Sequence, residues 1–205
     1  MKSKNIIIIV IVVAVVAILF YSMQEGETPE AYRKQIEKER EEKDHFMSTS
    51  SESPFADSVD QFKALQYFPV DGKYRIVASL TPIEEKKVIV LPTSDGKEQH
   101  YLPYAYAEFK LDGHENKLLI LEVMEMGIHR GTLFLAFGDA TSAIDTYGAG
   151  RYLDVKKLSG SATINLDFNL AYNPYCAYTD KFSCPLPPSE NLLKSAIKAG
   201  EKVYH

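Results

Sequence analysis

The sequence predicts a mainly β fold: an antiparallel sandwich or barrel of about eight strands with one C-terminal helix, preceded by a transmembrane helix and a charged stalk helix. Three observations predict it. Apolar residues from Tyr74 onward recur with period two in short runs broken by turn pairs such as Asp95-Gly96 and Asp112-Gly113. Ile6 to Tyr21 is an unbroken apolar run, and Thr28 to Met47 is densely charged and carries helix-start signals.

Met1 to Asn5 holds Lys2 and Lys4 ahead of the apolar run. The sixteen residues of that run rise about 24 Å as a helix, and Ser22 and Met23 extend the span toward the roughly 30 Å of a hydrocarbon core. No small-residue cleavage pattern follows Ile18, Leu19, Phe20 and Tyr21, so the run reads as an uncleaved anchor over 6–23. The lysines precede it and Glu25 and Glu27 follow. The N-terminus, 1–5, is therefore expected in the cytoplasm and the rest of the chain outside it, in the cell envelope.

Thr28 is an N-cap with Pro29 at the first helical position and Glu30 in the first turn. Apolar residues within this helix are few, Tyr32, Ile36, Phe46 and Met47. The segment 24–53 thus reads as a solvated stalk ending in a Ser-rich flexible joint, Ser48 to Ser53, with the folded domain at 54–205. That leaves roughly 150 residues for one domain. Net charge is −5 with no basic cluster, which argues against nucleic acid as a partner.

The expected strands are Tyr74–Leu80, Lys86–Leu91, Glu98–Leu102, Ala105–Leu111, Lys117–Val123, Thr132–Phe137, Arg151–Val155 and Thr163–Phe168. Ser189 to Ala199 reads as the helix, with Ser189 as N-cap, Leu192, Leu193, Ala196 and Ile197 on its apolar face and Gly200 as its stop.

Candidate chemistry concentrates between Asp139 and Glu201. Arg151 lies among Tyr147, Tyr152 and several aspartates and serves either a structural ion pair or an anionic ligand. Asp167, Asn169, Tyr172 and Asn173, with Glu190 further on, form the other polar candidates. Together with Arg151 they are the expected lining of a ligand pocket, although Asn173-Pro174 equally reads as a turn whose side chains satisfy backbone. Asp139 or Asp167 is the candidate general base if the domain is a hydrolase. No serine or cysteine nucleophile motif is present, and no catalytic residue is assigned. Cys176 and Cys184 read as one disulfide in an oxidising compartment, with a packing or thiol role left open; the five histidines show no metal-binding spacing, so no metal or cofactor is expected.

The runs TYGAGRYLD (Thr146–Asp154), LDFNLAYNPYCAY (Leu166–Tyr178), CPLPPSENLL (Cys184–Leu193) and AGEK (Ala199–Lys202) resemble a bacterial and archaeal family known as domain of unknown function family 1684. The resemblance covers the chain from about Ser53 onward and implies no activity. The expectation is a membrane-anchored extracytoplasmic module that binds a small ligand or an envelope partner; the alternatives are a structural envelope-assembly component and a hydrolase using Asp139 or Asp167.

Overall fold

The computed structural model describes residues 13, 27–124, 130–156 and 160–204. The expected anchor over 6–23 lies outside the described residues apart from Val13. Among the described residues no helix is long and apolar enough to cross a membrane. The chain divides into two compact units, Met1–Lys38 and Glu39–His205.

Helix α1, Pro29–Thr49, begins in the first unit and ends in the second. Thr28 caps it: its Oγ1 accepts the Ala31 N–H at 3.1 Å. At the other end the hydroxyl of Thr49 donates to the His45 carbonyl at 2.7 Å. The segment read as a flexible joint is tied to the fold, because buried Ser53 donates to Met47 O at 2.6 Å and accepts the Phe55 N–H at 3.0 Å. Met47 and Phe55 then join Leu65 in a small apolar cluster.

The second unit is one curled antiparallel sheet, not a two-sheet sandwich. Its strands are β1 (Arg75–Pro82), β2 (Ile89–Pro92), β3 (Glu98–Leu111), β4 (His114–Val123), β5 (Leu133–Phe137), β6 (Arg151–Val155) and β7 (Thr163–Asp167). The order is β6-β5-β4-β3-β1-β7, with β2 also paired to β3. Beyond β7, a bridge between Tyr152 and Tyr172 brings the chain to the outer edge of β6.

The two strands expected at Glu98–Leu102 and Ala105–Leu111 are a single strand, β3. Between Pro103 and Ala105 its register against β4 shifts by one residue at Tyr104. An extra residue turns the pleat over. Tyr101 accordingly packs in a cluster with Leu91, Leu119 and Leu121, whereas Ala107, Phe109 and Leu111, at the same alternation, enter the main core. Strand β4 serves both clusters and buries Leu118 to Leu121 without a break. Asp112 and Gly113, both at positive φ, close the β3–β4 hairpin as the Asp-Gly pair predicts.

The main core gathers Leu118, Ile120, Leu135, Phe137, Leu153, Leu166 and Phe168 on one face of the sheet. Each such side chain contributes about 1.5–3 kcal/mol by leaving water.

The helix expected over Ser189–Ala199 does not form. A 3-10 turn, Ser189–Asn191, is followed by irregular chain. Its backbone groups are taken by distant partners: Leu193 N–H by Gly138 O, Ser195 O by Ala140 N–H, Ile197 N–H by Asp139 Oδ1, and Ile197 O by Arg151. Those bonds replace the i to i−4 ladder that the apolar spacing implied.

Candidate functional site

Strands β4 and β5 pair only at Leu121–Phe134 and Glu122–Leu133, then part. The fully buried side chain of Asn191 fills the gap. Its Oδ1 accepts the Leu119 N–H at 2.6 Å, and its Nδ2 donates to Leu119 O at 2.9 Å and to Ala136 O at 2.8 Å. One side-chain amide thus completes the ladder where the strands diverge.

This plug places Leu192 and Leu193 at the surface, and each lines two clefts. The larger, about 600 Å³, runs along the β3–β4 hairpin, with Asp112, His114, Lys117, Glu190 and Lys194 around Leu192, Leu193 and Ala196. Ser195 donates to Asn116 Oδ1 at 3.0 Å and ties the two walls together. The smaller, about 320 Å³, is bounded by Gly138, Asp139, Ser142, Gly148 to Gly150, Leu186 and Pro187. Gly150 has φ +91, and a Cβ there would lie 2.6 Å from Pro187 Cγ and 2.7 Å from Phe137 O, so the close approach of β5 and the proline segment requires glycine.

Arg151 is buried, and its fork is used within the fold. Its Nη2 donates to Asp139 Oδ2 at 2.9 Å and to Ile197 O at 2.8 Å, and its Nη1 donates to Ala199 O and to Glu201 O. Burial lowers its pKa, and the neighbouring Asp139 carboxylate works in the opposite direction. Asp139 Oδ1 accepts from the Thr141 N–H and hydroxyl and from the Ile197 N–H. The pair fastens the C-terminal segment across the end of β6.

The other sequence candidates fall into separate bonding groups. Asp167 accepts from the Asn169 N–H and Nδ2. Asn169 in turn accepts the Asp71 N–H and donates to Asp71 O, and Arg40 donates to Asn169 O. Tyr172 donates to Asp154 Oδ1 at 2.8 Å. Asn173 belongs to a group around Glu201, which sequence reasoning missed. The fully buried Glu201 carboxylate meets Lys43 Nζ at 2.6 Å and accepts from the Asn173 N–H at 2.7 Å and the Tyr178 hydroxyl at 2.6 Å. Burial, with Glu201 beside it, raises the Tyr178 pKa far above the ordinary phenol value. The AGEK block held the signal: Gly200 at φ +73 turns the chain so that the next residue points inward. Of the six expected ligand residues, Glu190 lines one of these two clefts and the other five line neither.

Cys176 and Cys184 are free thiols, a correction to the disulfide expected from the sequence. One hydrogen bond joins them: the Cys176 N–H donates to Cys184 Sγ at 3.1 Å. Among the described residues no three His, Cys, Asp or Glu side chains converge on a metal position.

The family profile described as "Protein of unknown function (DUF1684)" matches residues 60–202. The chain belongs to the DUF1684 family. All seven strands, both clefts, the Asp139–Arg151 pair and the two cysteines lie inside the matched DUF1684 region, and α1 precedes it. The DUF1684 chain is also similar to the uncharacterized protein of Haloarcula marismortui whose solution NMR structure is known: 40% identity over 84% of this chain and 95% of that one, with a TM-score of 0.64. No curated protein matches.

Proposed function

We propose that this DUF1684 domain is a small-ligand binding module carried outside the cytoplasm on an N-terminal anchor, and that its ligand sits in the cleft between the β3–β4 hairpin and residues 190–196. The anchor rests on the run Ile6 to Tyr21 behind Lys2 and Lys4. The observation that carries the binding site is the 600 Å³ cleft, within the range that holds a small organic molecule. Its walls are held by the Asn191 plug and the Ser195–Asn116 bond, so the site is preformed.

The lining favours one chemical class. Leu192, Leu193 and Ala196 offer apolar contact, and side chains of both signs, Lys117 and Lys194 against Asp112, Glu115 and Glu190, surround them. A small molecule with an apolar body and charged ends of opposite sign, such as an amino acid or dipeptide, fits that pattern. Arg151, Asp167, Asn169, Tyr172 and Asn173 then support the fold elsewhere, and Glu190 is the candidate that faces the ligand.

The test is an amide-shift titration of the full chain in detergent with amino acids and dipeptides. Binding should shift amides of 112–117 and 190–196, and Lys194→Glu should raise Kd about tenfold, the loss of one ion contact of about 1.4 kcal/mol. Shifts confined to other surfaces would overturn the reading.

A further inference from the structure

Three loops meet at one end of the sheet: the β2–β3 turn with Ser94 and Asp95, the β5–β6 loop with Tyr147, and the segment that carries both cysteines. Ser94 N–H donates to Cys184 O at 2.8 Å, and the Cys184 N–H donates to Ser94 Oγ at 3.2 Å, so Cys184 is pinned to the turn. Cys184 is buried against Ala136 and Tyr152, while Cys176 is half-buried beside Tyr175 and Phe182. The Tyr147 hydroxyl points at Cys176 Sγ from 3.9 Å. The two residues therefore differ: Cys176 is half-buried, and Cys184 is buried and pinned to the turn.

We infer that Cys176 and Cys184 form a thiol–disulfide exchange site that acts on small-molecule disulfides, with Cys176 as nucleophile and Cys184 as resolving thiol. The Cys176 thiolate attacks one sulfur of the substrate disulfide and expels the other as a thiolate. That thiolate takes the proton of Cys184. Cys184 then attacks the Cys176 sulfur of the mixed disulfide and expels the second thiolate, which is protonated from water. The substrate gains two electrons and leaves as two thiols, and the protein closes a bond between Cys176 and Cys184.

The surroundings support this division of labour. The neighbouring Cys184 thiol first, with Ser94 and Tyr147 beside it, lowers the Cys176 pKa below the ordinary thiol value, against the partial burial that raises it. Cys184 is shifted upward, because it shares its proton with Cys176 and is desolvated. Burial pushes Tyr147 up to about 12, so it keeps its proton and stays a donor. The titratable groups around the pair include Tyr147, Tyr152 and Asp95, with Tyr175 beside Cys176.

The test treats the reduced, full-length protein with oxidised glutathione under native conditions and follows intact mass and peptide maps. Wild type should lose two hydrogens through a bond between the two cysteines. Cys184→Ser should halt as a single glutathione adduct on Cys176, and Cys176→Ser should react at least about tenfold more slowly. Iodoacetamide should modify Cys176 of the wild type first, with a rate that inflects below about pH 8.5 and moves upward in Tyr147→Phe, a variant that keeps the ring. Modification of Cys184 first, a wild-type adduct that never closes, or reaction only after unfolding would each overturn the assignment.

Discussion

The Asn191 amide pairs with both backbone groups of Leu119, accepting its N–H at 2.6 Å and donating to its carbonyl at 2.9 Å. A strand residue would normally be satisfied by a neighbouring strand, and here β5 has already turned away. The side chain therefore joins the sheet to the segment that walls both clefts.

Replacing Asn191 by Leu should be costly, because the branched shape is kept while Leu119 N–H, Leu119 O and Ala136 O lose their partner. Each buried polar group left unsatisfied costs about 1–3 kcal/mol, so a loss of about 3–5 kcal/mol is expected in urea unfolding. Amide exchange at Leu119 should quicken in the same variant. Unchanged stability would mean that another group reaches the gap.

The Asp139–Arg151 pair makes a second, opposite expectation for single and paired changes. Both side chains are 1% exposed. Arg151→Met strands the Asp139 charge and three carbonyls, those of Ile197, Ala199 and Glu201, and should cost about 3–5 kcal/mol. Asp139→Asn removes the charge opposite the buried guanidinium and sets an amide donor against donors on one side, so it should cost a comparable amount. A double-mutant cycle of the two changes should show coupling above about 1 kcal/mol, whereas additive losses would show that the carbonyl clamp alone matters.

Most of the sheet was legible because its strands alternate: β3 buries Tyr101, Ala105, Ala107, Phe109 and Leu111 in step, and Asp112-Gly113 marks its hairpin. The bulge at Tyr104 was not, since Pro103 reads equally well as a strand end and as a strand residue that lacks a donor. The C-terminal helix was misread for a physical reason. Leu192, Leu193, Ala196 and Ile197 have helical spacing, but the groups that claim their backbone, Gly138, Asp139 and Arg151, lie some fifty residues away and leave no local trace. An ion pair between Arg151 and one of several nearby aspartates was legible, without singling out Asp139, and Glu201 was not, because a lone acid near a chain end carries no pattern until Gly200 is seen to turn it inward.

Asp95 gives the pH dependence its sign. Lys97 Nζ lies 2.7 Å from its Oδ2, and the hydroxyls of Thr93 and Ser183 donate to its Oδ1 at 2.6 and 2.7 Å. The Lys97 ammonium first, then the two hydroxyls, hold its pKa well below the ordinary carboxylate range. A folded pKa below the unfolded one means that the folded state resists protonation. The stabilisation is therefore fully present above about pH 4, the unfolded value, and is lost as pH falls through the lower folded value. Carbon-detected NMR should place the Asp95 midpoint below the ordinary carboxylate value, and Ser183→Ala should move it upward. Because Ser183 precedes Cys184, whose N–H is held by Ser94 beside Asp95, exchange at the Cys184 amide should quicken over the same acid range in the wild type. In Asp95→Asn that acid response should be absent, with exchange already faster at neutral pH. An Asp95 midpoint at the ordinary carboxylate value would show that the Thr93 and Ser183 bonds do not persist in solution.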